Sequence, residues 1–251
     1  MDKNAKVIAI ASGKGGVGKT TVTAALAQAL AERGNTVLAI DGDLDFRNLD
    51  LLIGLDGSFA YDLGDVATGN CVLNDAIYKS AFADNLFFMA GTVEGEAEKR
   101  VDSSVIGRLL DHLRPYYDYI VVDTAAGMGK SFELYTKNAD TVIIVTTLYK
   151  PAIRDGEKIA CEIAKDGIQT YMIVNSLDER LIASKNAPDV DEIIDSVCVK
   201  LIGLLPCESR LIRWQNGGLS PMSRRCEIKT QIDDIAARIE GENRPLKKFW
   251  K

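Results

Sequence analysis

The chain has 251 residues, 47% hydrophobic and 26% charged, a balance that suits an ordinary globular protein with a full core and one domain over residues 1–242. Its formal net charge of -6 argues against a broad basic face for nucleic acid, and it holds no apolar run long enough to cross a bilayer. Met1-Asp2-Lys3-Asn4 leads directly into an apolar strand with no room for a signal peptide, so a cytoplasmic protein is expected.

The first element is Val7-Ile8-Ala9-Ile10-Ala11, a short β-branched run of the kind buried on both faces of a parallel sheet. It enters Ser12-Gly13-Lys14-Gly15-Gly16-Val17-Gly18-Lys19-Thr20-Thr21, and an Ala/Leu-rich helix follows from Thr20 to Arg33 with Gly34 as its stop. Strand, glycine turn, Lys-Thr and helix in this register make a P-loop. Gly13, Gly15, Gly16 and Gly18 let consecutive N–H groups, with Val17 among them, close around a polyphosphate at the helix N-terminus. Lys19 would reach the terminal phosphates, the Thr20 hydroxyl would bind magnesium, and Thr21 completes the run, so ATP or ADP with Mg2+ is the expected ligand.

Further strands are expected at Thr36–Ile40, Leu86–Met89, Tyr119–Val122, Thr141–Val145, Tyr171–Val174 and Leu201–Leu205, with helices between most of them. The alternation predicts an α/β fold: a doubly wound, mostly parallel sheet of about seven or eight strands with helices on both faces. Two strand ends carry carboxylates. Asp123, after Tyr119-Ile120-Val121-Val122, has the position of a Walker B aspartate acting on magnesium directly or through its water. Asp43, in Asp41-Gly42-Asp43, is placed to orient the attacking water or take its proton, or to approach the metal, and Asp41 to hold the loop. Thr124-Ala125-Ala126-Gly127-Met128-Gly129 forms a small-residue loop able to change shape when the γ-phosphate leaves. His112 belongs to a helix over Val101–Leu113, as a structural or surface residue. The five cysteines include no Cys-x-x-Cys pair, which suits reduced thiols.

A second lysine inside the glycine turn, Lys14, is surplus to a single phosphate site. The Lys14–Thr21 segment resembles the deviant Walker A motif of the MinD/ParA class of ATPases, and the resemblance implies that Lys14 reaches across a face-to-face homodimer to the partner's nucleotide. It also implies that Asn175 and the loop at Pro206 contact adenine. The segments Arg47-Asn48-Leu49-Asp50, Tyr61-Asp62-Leu63-Gly64-Asp65-Val66 and Gly69-Asn70-Cys71 are more similar to the MinD branch than to other members. Two places depart from that pattern. Ala125-Ala126 stands where proline is common, and Leu148-Tyr149-Lys150 replaces an acidic Pro-Glu-Val segment.

Membership of that branch implies reversible attachment to an anionic membrane. In residues 243–251, Leu246, Phe249 and Trp250 fall at i, i+3 and i+4 with Lys247 and Lys248 between them, an amphipathic segment too short to be helical in water. The alternative is a tail that frays or packs on its own domain. The branch further implies division-site placement through a division inhibitor of the MinC type, release by a hydrolysis-stimulating partner of the MinE type, and slow partner-stimulated turnover. An FlhG-like regulator of flagellar number and a ParA-like DNA-segregation ATPase are the competing readings.

Overall fold

The computed structural model describes residues 4–43, 47–55, 57, 59–92 and 101–246. In chain order the elements are β1 Lys6–Ala11, α1 Lys19–Glu32, β2 Val37–Gly42, α2 Leu49–Leu52, α3 Leu63–Thr68, β3 Tyr78–Lys79, β4 Leu86–Met89, α4 Ser103–Leu113 and β5 Tyr119–Thr124. Then come α5 Lys130–Thr136, β6 Thr141–Thr146, α6 Lys150–Ala164, β7 Gln169–Leu177, α7 Glu179–Ala183, α8 Val190–Val197, β8 Lys200–Pro206, α9 Arg210–Asn216 and α10 Glu227–Ile239.

The strands form one eight-stranded sheet in the order β3-β4-β2-β5-β1-β6-β7-β8. All pairings are parallel except the antiparallel contact of β3 with β4. Every apolar run read from the sequence is a strand, most of them a residue or two longer. The added strand β3 has only two residues, too few for any periodicity to reveal.

Alternation along β1 explains the layers. Ile8 and Ile10 pack with α1 and α10 on one face, while Val7, Ala9 and Ala11 meet side chains of α4, α5, α6 and α8 on the other. Gly203 in β8 lets α10 sit close, since a Cβ there would fall 2.2 Å from Ile235 Cδ1. Local signals set the helix ends: Asp62 caps α3 in a reciprocal box with Asp65, Asp189 does the same for α8 with Glu192, and Asp102 caps α4. The α4 start is therefore Ser103, later than the sequence reading, because the Asp102 carboxylate takes the first free N–H groups. Past α1, Gly34 turns the chain at φ 94°. The P-loop leaves β1 between β5 and β6, where later connections go to the opposite side of the sheet, so the strand C-terminal ends converge on it.

Candidate nucleotide site

Between Ala11 and Lys19 the chain folds back on itself, with Gly16 at φ 79° and Gly18 at φ 85°, conformations that strain any side chain. Nothing lies within 4 Å of where a Cβ on Gly15 or Gly16 would stand. Gly13 and Gly18 are tight instead. A Cβ on Gly13 would sit 2.4 Å from Asp155 Cβ on α6, and one on Gly18 2.3 Å from Asn175 Nδ2 on β7. The Asn175 amide donates to the Val17 carbonyl at 2.8 Å, and the Gly127 N–H donates to the Ser12 carbonyl at 2.8 Å. The loop is thus braced from α6, β7 and the loop after β5, and open on its remaining side. That open run of glycine backbone, leading into the N-terminus of a 14-residue helix, fits a polyphosphate.

Beneath the loop, Lys19 Nζ donates to Asp123 Oδ1 at 2.7 Å, with both side chains buried. The Thr23 hydroxyl, one turn further along α1, lies 2.9 Å from the same oxygen. Each charge neutralises the other in a place where neither could stay buried alone. The donor set suits a magnesium nucleotide: Lys19 would hold terminal phosphates, and Thr20 and Asp123 the metal. Thr23 escaped the sequence reading, because a threonine inside an alanine-rich helix looks like filler until its strand partner is known.

Asp41 and Asp123 are register partners on neighbouring strands β2 and β5. Asp41 accepts the N–H groups of Asp43, Asn48 and Leu49, each at 3.1 Å, and so ties together both sides of the loop that carries Asp43, as expected. Burial and the adjoining Asp123 charge push the Asp41 carboxyl up to about 7, against those three donors. Asp43 itself is half-buried at the open end of β2. Further along, the Arg47 guanidinium donates to Asp62, the α3 cap, and to the Gly91 carbonyl, which gives part of the Arg47–Asp50 segment a structural role. At the start of α5, the Ser131 hydroxyl donates to the Gly42 carbonyl at 2.6 Å and accepts the N–H of Ala125, in the loop after β5, at 2.9 Å. This joins the β2 and β5 ends directly.

Lys14 does not share the buried pocket. Its ammonium stands over the ring of Tyr149, 4.6 Å from the centroid, at the residue preceding α6. Tyr149 is 57% exposed. Tyr149 belongs to the Leu148-Tyr149-Lys150 segment that departs from the acidic pattern, and its contact with Lys14 was not legible in the sequence.

Asn175 and Pro206 fall at the adjacent ends of β7 and β8. The register there shifts between Val174 and Leu177, with Ser176 at φ 54°, a bulge that turns Asn175 onto the P-loop. The Thr21 hydroxyl accepts from Gln215 of α9 at 3.4 Å. Of the tail, Leu246 is described, 43% exposed; Lys247, Lys248, Phe249 and Trp250 lie outside the described residues. Residues 243–246 are not helical, and the chain from Arg244 to Pro245 is held by Arg238, so the root of the tail packs on its own domain. Among the described residues no helix is long and apolar enough to cross a membrane. His112 is exposed near the end of α4 against Tyr116, and all five cysteines are free.

A family model described as an AAA domain matches residues 5–169. The septum site-determining protein MinD of Helicobacter pylori is 35% identical over 244 residues, covering 94% of this chain and 91% of that protein. Among solved structures, the MinC:MinD cell division protein complex of Aquifex aeolicus aligns with a TM-score of 0.87 at 32% identity over 98% of this chain and 100% of that one. The septum site-determining protein MinD of Pyrococcus horikoshii OT3, complexed with Mg-ADP, aligns with a TM-score of 0.83 at 30% identity over 94% of this chain and 96% of that one.

Proposed function

The chain belongs to the MinD family of septum site-determining ATPases, and we propose that it is a membrane switch: ATP with Mg2+ brings two copies together, and the dimer holds an anionic membrane until hydrolysis releases it. The observation that carries this reading is the division of labour between two lysines in one loop. Lys19 is buried against Asp123, while Lys14 is held only at the rim, over Tyr149. A rim ammonium is free to leave an aromatic face for a phosphate on a partner subunit. The Mg-ADP complex of the Pyrococcus relative supports the same ligand here.

In this reading Lys19 binds the terminal phosphates and Thr20 and Asp123 hold magnesium, which supplies charge neutralisation at the phosphates. Asp43, on a loop fixed through Asp41, orients the attacking water. The loop Thr124–Gly129, tied to Ser12 through Gly127 and to β2 through Ser131, senses the terminal phosphate. Residues 1–242 act as the ATPase domain and residues 243–251 as the membrane segment. One tail binds marginally, and two presented together gain roughly 100-fold or more by avidity. The ATP-bound dimer recruits a division inhibitor of the MinC type, a role supported by the Aquifex complex, and slow hydrolysis is stimulated by a MinE-type partner.

Light scattering after size exclusion, with ATP and with ADP, tests the switch. A dimer in ATP alone, absent in Lys14→Ala, is the expected result. Equal dimers from parent and variant would remove the cross-dimer role of Lys14.

A further inference from the structure

At the sheet end opposite the P-loop, a groove of about 530 Å³ opens between the starts of β1, β7 and β8 and the end of α10. Lys6, Lys200, Arg238 and Arg244 line it, with Tyr171 and Leu246 among its apolar walls. The lining carboxylate, Glu242, is already held by Arg33 and Arg244. Four cations therefore face one neutralised carboxylate, in a chain whose formal net charge is -6.

The cations differ in what occupies them. Arg238 spends its donors on carbonyls, those of Ile202 at 2.7 Å, Arg244 at 2.8 Å and Pro245 at 2.8 Å, and Asp234 one turn earlier on α10 offsets part of its charge. Lys200 lies over the Tyr171 ring at 5.9 Å from the centroid. Among the described residues neither Lys6 nor Lys200 forms an ion pair with a carboxylate. Their ammonium groups are the ones open to an outside anion.

We propose that this groove is a second membrane contact, in which Lys6 and Lys200 take the phosphate of an anionic lipid headgroup beside the root of the tail. The inference rests on the membrane reading above and extends it to residues distant in sequence from the tail. Continuity carries it. Arg238 pins the chain at residues 244 and 245 against this groove, and Leu246 lines it immediately before the Lys247–Lys251 segment. Any surface that holds the tail is thereby brought to Lys6 and Lys200. An unpinned root would leave the domain free to rotate on its tether, whereas the Arg238 bonds fix which face of the domain meets the bilayer.

The test is co-sedimentation of the full chain in ATP with phosphatidylcholine vesicles containing phosphatidylglycerol, for the parent, Lys6→Gln/Lys200→Gln and Lys6→Arg/Lys200→Arg. The glutamine pair is expected to weaken vesicle binding by tenfold or more, the order set by removing two lysines from an anionic surface. The arginine pair should bind as the parent does. ATP-dependent dimerisation and basal turnover should be equal in all three. A parent that pellets in ATP with an equally bound glutamine pair would overturn the groove while leaving the membrane reading intact. A parent that pellets in neither nucleotide would overturn both. Lost binding to duplex DNA, with vesicle binding unchanged, would reassign the groove to nucleic acid, and full displacement of vesicles by millimolar inorganic phosphate would reassign it to a free anion.

Discussion

Gly13 and Gly15 stand two residues apart in one loop, and the structure assigns them opposite reasons for lacking a side chain. A Cβ on Gly13 would stand 2.4 Å from Asp155 Cβ, 2.6 Å from its carbonyl carbon and 2.7 Å from its carbonyl oxygen. Backbone of α6 cannot swing aside as a flexible side chain can, so Gly13→Ala must shift the helix or the loop. Overpacking of this kind costs about 1–3 kcal/mol. A Cβ on Gly15 meets nothing within 4 Å and its φ is not positive, so Gly15→Ala should leave stability unchanged or raise it by about 0.4–1 kcal/mol through the unfolded chain. In the nucleotide reading Gly15 belongs to the backbone that would close around phosphate, and a side chain there should weaken nucleotide binding at least tenfold, about 1.4 kcal/mol. Urea unfolding without nucleotide reads the first effect, and titration with a fluorescent ATP analogue reads the second. A Gly13→Ala protein as stable as the parent, or a Gly15→Ala protein that binds nucleotide as tightly, would refute the reasoning.

Asp43→Ala is expected to keep ATP-dependent dimers but trap ATP, and unchanged turnover would take Asp43 out of the mechanism. A cation–π contact at a partly exposed ring is worth about 0.5–1 kcal/mol, so Tyr149→Leu, which frees Lys14, should tighten ATP-dependent dimerisation about two- to fivefold per subunit. Tyr149→Phe keeps the ring and should match the parent; equal dissociation constants for all three proteins would end the idea that the ring restrains Lys14. The Asp41 carboxyl is raised from 3.8 to about 7, so its contribution to stability is full below pH 4 and lost as pH rises through 7. Relative to Asp41→Asn, the nucleotide-free parent should lose about 2–3 kcal/mol of unfolding free energy between pH 5 and pH 8. Parallel pH profiles of the two proteins would contradict that.

The strands and the P-loop were legible because each depends on short-range pattern. Buried parallel strands read as continuous apolar runs, and the glycine-lysine-threonine spacing works only between a strand and a helix. Contacts between distant segments were not legible. Nothing near Tyr149 in sequence shows that Lys14 lies over its ring, and an exposed aromatic before a helix looks like any loop residue. No local pattern around Asp155 shows that its main chain decides why position 13 is glycine. Arg238 in the last turn of α10 folds back on three carbonyls and fixes the tail root, which no local pattern shows. The bulge at Asn175-Ser176 has no glycine to announce it, and pairing with β8 rather than local preference imposes it.

The most direct test of the central claim is sedimentation with anionic liposomes in ATP and in ADP, comparing the full chain with one ending at Glu242. The account predicts pelleting of the full chain in ATP, little in ADP, and loss of the ATP-dependent fraction in the shortened chain. A full chain that binds ATP and dimerises yet stays in the supernatant in both nucleotides would contradict it.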